Sequence, residues 1–206
     1  MKTAVAVAIL FFCVAAYCQD VAGNYVLRGE MEVGSELALK KDGHFEFMLA
    51  YGAADYWAKG TWRQEGNAVI LQSAGKKEEP FKLVRSEAGT PGRIRVWVLG
   101  QNGKGVEHID VHLLTGGEPL EAHTEQDGAA VFPDEASAKA VTFEIRVYQI
   151  EAGPFPIKAS DKDYYFELNG DAVQQVLFEN EKLAIDGKTL VMTHWGSDHP
   201  MHYERE

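Results

Sequence analysis

Cysteine is nearly absent from this chain: 206 residues hold two, Cys13 and Cys18, both near the start. The rest has no disulfide framework and no thiolate cage for a metal, so its fold must rest on a hydrophobic core. Acceptor sequons of the Asn-x-Ser/Thr type are missing as well. Positive charge is scarce: 20 Lys and Arg stand against 31 Asp and Glu. With no basic cluster to interrupt that surface, it repels phosphate backbones and excludes nucleic acid as a partner. Beyond the first twenty residues no apolar run reaches the ~20 needed to cross a bilayer as a helix. No Gly-x-Ser-x-Gly, His-Glu-x-x-His or phosphate-cradling glycine loop occurs, which disfavours catalysis. Scattered carboxylates that meet in space keep a hydrolase in view.

What is present begins with an export signal. Lys2 precedes an apolar and small run from Ala4 to Ala16, too short for a membrane span and ending in Ala15-Ala16-Tyr17-Cys18. Cleavage after Cys18 or after Ala16 satisfies the small-residue rule. Lipidation at Cys18 would normally need Gly, Ala or Ser before the cysteine, and Tyr17 stands there, so a soluble product is expected. A mature chain starting at Gln19 loses both cysteines and Lys2. It keeps 19 basic residues against 31 acidic ones, net −12.

Period-two alternation dominates the remainder and predicts an all-β fold, an antiparallel barrel or sandwich. Leu37 and Leu39 lead to Asp42-Gly43, followed by Phe45, Phe47, Leu49 and Tyr51 on one face. Asp-Gly between alternating runs is a strong hairpin signal. Glu65-Gly66-Asn67 and Asp186-Gly187 repeat the device. Phe81, Leu83 and Arg85 are expected to add a fifth strand to the first meander. The turn formers from Ser86 to Gly92 then mark a boundary. The one helix expected of any length is Asp134–Ala140. The organisation expected is a barrel-like unit from residues 19–86 and 172–206, a sandwich module at 92–150, and a connecting segment at 151–171. Three consecutive meanders would produce a similar pattern.

Two resemblances accompany this reading. Gly105-Val106-Glu107-His108-Ile109-Asp110-Val111-His112-Leu113, with Thr124, Asp127-Gly128 and Ala129-Ala130-Val131-Phe132, resembles the transthyretin-like or carboxypeptidase-regulatory type of Ig-like β-sandwich. That likeness covers about 60 residues and implies a non-enzymatic sandwich without naming a ligand. Gly60-Thr61-Trp62-Arg63 through Leu71, and Asp186 through Met192 with Tyr203-Glu204-Arg205, are similar to pieces of lipocalin-like small barrels.

Two clusters are candidate sites. Tyr51, Tyr56, Trp57 and Trp62 surround Gly52-Ala53-Ala54-Asp55; exposed, such aromatics form a platform for a sugar or a partner chain, and buried they are barrel core. In the tail, Met192 and His194 face His199 and Met201 across Gly196-Ser197-Asp198. Imidazole with thioether selects soft copper, and zinc is the other candidate. Trp195 could cap the ion. The segment is similar in composition, though not in spacing, to small periplasmic copper carriers. The alternative is that the methionines fill the core and the histidines decorate a loop. His44, His108, His112 and His123 read as exposed strand histidines. Asp161 and Asp163 would touch calcium only with ligands from elsewhere. The function expected is a secreted or periplasmic non-catalytic binding or accessory protein for a protein or small ligand, with a copper or zinc binding protein as the alternative and a glycan-active hydrolase behind it.

Overall fold

The computed structural model describes residues 20–135, 138–193 and 199–206. The expected leader, with Cys13 and Cys18, and the tail residues His194 and Trp195 lie outside the described residues.

The chain is all-β, and its two ends meet in one closed barrel. Five strands come first: β1 (Gly23–Arg28), β2 (Val33–Leu39), β3 (His44–Tyr51), β4 (Ala54–Glu65) and β5 (Ala68–Ser73). Three come last: β14 (Glu181–Asp186), β15 (Thr189–Met192) and β16 (Met201–Arg205). All pair antiparallel in the order β1-β16-β15-β14-β5-β4-β3-β2, and β1 and β2 close the ring. Alternation sorts the side chains. Leu37, Leu39, Phe45, Phe47, Leu71, Leu183, Leu190 and Tyr203 are buried inside. Glu36, Glu46, Lys59 and Lys182 are exposed on the outer wall. The Asp42-Gly43 and Asp186-Gly187 turns both place glycine at positive φ, as their geometry requires. Gly60 is needed for a different reason. A Cβ there would stand 2.0 Å from the Gln72 carbonyl oxygen and 2.7 Å from the Ser73 Cα. Only glycine lets β4 and β5 approach so closely at the barrel corner.

Between β5 and β14 the chain builds a two-sheet sandwich. One sheet orders β10 (Ala129–Pro133), β7 (Arg93–Gly100), β13 (Asp163–Leu168) and β6 (Phe81–Glu87). The other orders β12 (Ile150–Pro156), β11 (Ala140–Ile145), β8 (Asp110–Leu114) and β9 (Leu120–His123). Val96, Val98, Val111, Leu113, Val141, Phe143 and Phe166 fill the space between them and are fully buried. Thr124, also fully buried, holds the β8–β9 unit at its end: its Oγ1 accepts from the Ile109 amide at 2.9 Å, while its own amide donates to the Ile109 carbonyl.

Several segments lie elsewhere than the alternation suggested. The strand of Phe81, Leu83 and Arg85 leaves the first meander and pairs with β13 in the sandwich. The segment expected to be a connector supplies β12 and β13 to that same sandwich, and β13 runs parallel to β7. Period two identifies a strand but is blind to its partner, so a strand at a boundary is easily given to the wrong sheet. The expected helix at Asp134–Ala140 is also replaced. Ala140 opens β11, and Lys139 is held by sheet-like bonds, its amide to Leu114 O and its carbonyl to Ile157 N. Residues 136–137 of that stretch are outside the described residues. A one-turn helix, α1 (Gly170–Gln174), forms instead, where the Asn169 side chain accepts from the Ala172 amide.

The return path ties the two bodies together. After α1 the Val176 amide donates to Trp57 O, and Ser73 N donates to Phe178 O. Phe178 then enters the barrel, with its ring 5.1 Å from Phe47 and 5.9 Å from Phe45. Tyr148, from the 3-10 turn Arg146–Tyr148, meets Tyr56 edge-on at 5.5 Å. The barrel is thus plugged by a residue delivered from the sandwich side.

Candidate functional site

The four aromatics of the first cluster do not form one surface. Tyr56 and Trp62 share the inward parity of β4 and pack half-buried against the barrel core. Trp62 Nε1 donates to Lys40 O at 2.8 Å. Burial beside Tyr148 raises the Tyr56 phenol above its ordinary pKa. Tyr51 is exposed at the end of β3. Trp57 alone points outward, across from exposed Met48, with the Lys59 ammonium 5.3 Å from its ring. Alternation along β4 divides the cluster between inside and outside.

The tail is divided in the same way. Met192 and Met201 are directly opposed across β15 and β16, and both side chains lie in the barrel core at 1% and 3% exposure. His199 is exposed, and His194 lies outside the described residues. A site using all four side chains would have to draw two core methionines out of the barrel. Among the described residues no cluster of three His, Cys, Asp or Glu is arranged to hold a metal.

Elsewhere the polar groups of the sandwich satisfy one another. Asp163, almost fully buried, takes two bonds from the Arg95 guanidinium, and that hydrogen bonding holds Arg95 above its ordinary pKa. Asp161 accepts from Ser86, which lowers its carboxyl. The two aspartates therefore serve different partners and do not converge as calcium ligands would. On the outer face of the second sheet His112 stands 3.6 Å from Glu121 and 3.8 Å from Glu144. Those carboxylates face opposite ring nitrogens, so the three groups do not converge either. Across the first sheet Arg85, Tyr165 and Trp97 form a stacked row, with the guanidinium 3.5 Å from the Tyr165 ring and the two rings 5.8 Å apart at 5°. The Tyr165 ring is covered on both faces, which makes the row a brace for the sheet and a poor platform for a ligand.

A groove stands open in the sandwich. The sandwich has two seams. Along one, β9 and β10 are joined by the short Thr124–Gly128 connection, whose glycine sits at positive φ too close to Val98 O and Gly105 Cα to carry a side chain. Along the other, the edge strands β6 and β12 leave a groove of ≈ 530 Å³ near the start of β6. Its floor is apolar. Half-buried Leu83 and Phe155 line it over Phe81, and beneath that lining Phe81 stacks on Phe143 at 4.2 Å and Phe155 lies 5.4 Å from Phe166. Its rim is acidic. Glu78 accepts from Asn169 Nδ2 at 2.8 Å, whereas the carboxylates of Glu79 and Glu167 make no hydrogen bond or ion pair among the described residues. Lys82 is the one cation on the rim and lies opposite Glu167 in the β6–β13 register. This arrangement can hold a positive charge beside an apolar group. Sequence reading missed it, because its residues come from four separate segments. The available signal was the run Glu78-Glu79-Pro80-Phe81, two carboxylates set directly against an aromatic strand start.

Comparison with protein-family models, with curated proteins and with solved structures found no match to this chain.

Proposed function

We propose that this is an exported, non-catalytic binding protein whose ligand sits in the groove between β6 and β12. The observation that carries the reading is the pairing of an apolar floor of Phe81, Leu83 and Phe155 with the carboxylates of Glu79 and Glu167, which make no hydrogen bond or ion pair among the described residues. A volume of ≈ 530 Å³ is within the range of ligand sites. The lining rings Phe81 and Phe155 are each packed against Phe143, so the floor needs no reordering on binding. The ligand is a cation with an apolar neighbour.

Export is supported by the leader-type start, by a described chain without cysteine and by a barrel wall carrying Glu36, Glu46, Lys59 and Lys182. That wall is the reverse of the apolar exterior of a membrane barrel. Among the described residues no helix is long and apolar enough to cross a membrane. The likeness of the sandwich to transthyretin-like modules points the same way, toward recognition without chemistry.

The test is a two-dimensional NMR titration with benzylamine, a small apolar cation. Amide shifts should cluster at Phe81, Lys82, Leu83, Glu167 and Asn169, and should vanish in a Glu79→Lys, Glu167→Lys double variant. Shifts confined to other surfaces, or no shifts at millimolar benzylamine, would refute the assignment.

A further inference from the structure

We infer that Met48, on the outer wall of the barrel, is a site of reversible oxidation to the sulfoxide by a peroxide, and that Trp57 and Lys59 beside it respond to its state. The described residues contain no cysteine, so thioethers are the sulfur that an oxidant meets there. Met31, Met48, Met192 and Met201 are the methionines among them, and the fold divides these in two. Met192 and Met201 are sealed in the barrel core, whereas Met31 is 88% exposed and Met48 63%. A peroxide reaches the exposed pair directly and the core pair only when the barrel opens.

Met48 differs from Met31 in its surroundings. Met31 stands in the turn between β1 and β2, flanked in sequence by Glu30 and Glu32. Met48 lies within a strand, opposed by Trp57 on β4 and by Glu36 on β2. Directly opposed side chains on one sheet face stand about 4.5–5.5 Å apart at Cβ. That spacing brings the thioether against the indole, a contact that sulfur favours. The Lys59 ammonium, 5.3 Å from the same ring, belongs to the same face. Glu46, the carboxylate opposite Lys59, is paired with Lys40, and Lys59 makes no ion pair among the described residues. Oxidation changes the partner that the sulfur prefers. A sulfoxide is polar, and its oxygen accepts hydrogen bonds, so it turns from the indole to the ammonium, while Glu36 on the other side repels it. The backbone stays in place, because the buried Ser35 hydroxyl donates to Met48 O at 2.7 Å.

The chemistry balances. An S–O bond forms as the O–O bond of hydrogen peroxide breaks; the sulfur gives up two electrons, and the second oxygen leaves as water. A thiol-dependent sulfoxide reductase reverses the step, releasing the oxygen as water while two thiols close to a disulfide.

The experiment exposes the chain from Gln19 to dilute hydrogen peroxide under native conditions. Peptide mapping follows oxygen uptake at each methionine, with tryptophan fluorescence read in parallel. Met31 and Met48 should oxidise about tenfold faster, or more, than Met192 and Met201, and the difference should vanish in guanidinium. Emission should change as Met48 is oxidised. Met48→Leu and Trp57→Phe should each remove that change, whereas Met31→Leu should keep it. Methionine sulfoxide reductases for both epimers, supplied with dithiothreitol, should restore mass and emission. Lys59→Gln should lower the melting temperature of the oxidised protein more than that of the reduced one. All four substitutions are at positions outside the barrel core, and an unchanged melting temperature of each reduced variant would confirm intact folding. Oxidation of Met48 no faster than that of the core methionines would overturn the site. An emission change that persists in Met48→Leu would overturn its pairing with Trp57. Equal thermal losses from Lys59→Gln in the two states would remove the ammonium from the site, and resistance to the reductases would overturn reversibility.

Discussion

The barrel and the sandwich dispose of their sheet edges in different ways. In the barrel every strand has two neighbours, so closure leaves no backbone row unpaired. In the sandwich four edge strands remain. Two of them, β9 and β10, are brought together by a short connection anchored at its buried ends, Thr124 and Gly128. The other two are guarded individually: β6 by Lys82, Arg85 and the Val84 bulge, β12 by Pro154 and Pro156. Such devices discourage indiscriminate edge pairing without closing the seam. The closed body supplies rigidity, and the guarded but open one supplies the surface at which a partner can be chosen.

Substitutions can break or sharpen that contrast. The largest effect should come from Phe178→Ala, which empties the barrel plug delivered from the sandwich side. A loss of ~3–5 kcal/mol in guanidinium unfolding is expected for a fully buried ring, with hydrogen-exchange protection falling first in β3 and β5. A loss below about 1 kcal/mol would show that the barrel closes without it. Next, Arg95→Met strands the Asp163 carboxylate inside the sandwich. Because Arg95 is itself 26% exposed, the expected cost is about 2–3 kcal/mol, below that of breaking a wholly buried pair. Adding Asp163→Asn to that variant should restore much of the loss. Unchanged stability of the double variant would mean that packing, and not stranded charge, is at fault.

Alkaline pH offers a probe of each body. Burial raises the phenols of Tyr203 in the barrel and Tyr164 in the sandwich to about 12. In the unfolded chain tyrosine ionises near 10. A raised folded pKa stabilises the protonated form, so its contribution is fully present below pH ~10 and is lost as pH rises toward about 12. Tyr203→Phe should lose the Ser35 hydrogen bond at neutral pH, about 1 kcal/mol, and flatten the decline above pH 10. Identical alkaline slopes in parent and variant would place the sensitivity elsewhere. The two tryptophans of β4 give the smallest effects and the cleanest inside–outside pair. Trp62→Ala should cost about 2 kcal/mol and Trp57→Ala under ~1, read from melting curves. Equal costs would contradict the parity that separates them.

Much of the architecture could be read from residues a few positions apart. Asp42-Gly43, Glu65-Gly66 and Asp186-Gly187 announce their hairpins, and Phe45, Phe47 and Leu49 announce an inward face. These signals are local, and the interactions they encode are local. The parallel pairing of β7 with β13 depends on residues some seventy positions apart, joined through no turn that a sequence motif could mark. The helix expected at Asp134–Ala140 failed because the sheet bonds of Lys139 outweighed a weak intrinsic preference. The short helix that does form was signalled only by the Asn169 cap. The aromatic cluster could be found but not sorted until the β4 register fixed which ring faced which side. The groove was legible only as Glu78-Glu79 beside Phe81, since the rest of it arrives from other strands.

The insertion of the sandwich between β5 and β14 bears on the order in which the molecule folds. The barrel cannot close until Ser73 and Glu181 come together, and an unstructured excursion of that length carries a substantial closure entropy. The sandwich removes most of it. Phe81 and Leu168 stand directly opposite each other in the β6–β13 pair, and Asn169 N donates to Pro80 O. Once that pair has formed, only short tethers separate β5 from β14. Shortening the effective loop in this way favours closure by on the order of 1–2 kcal/mol, so a sandwich that assembles first would hold out the two ends on which the barrel is completed.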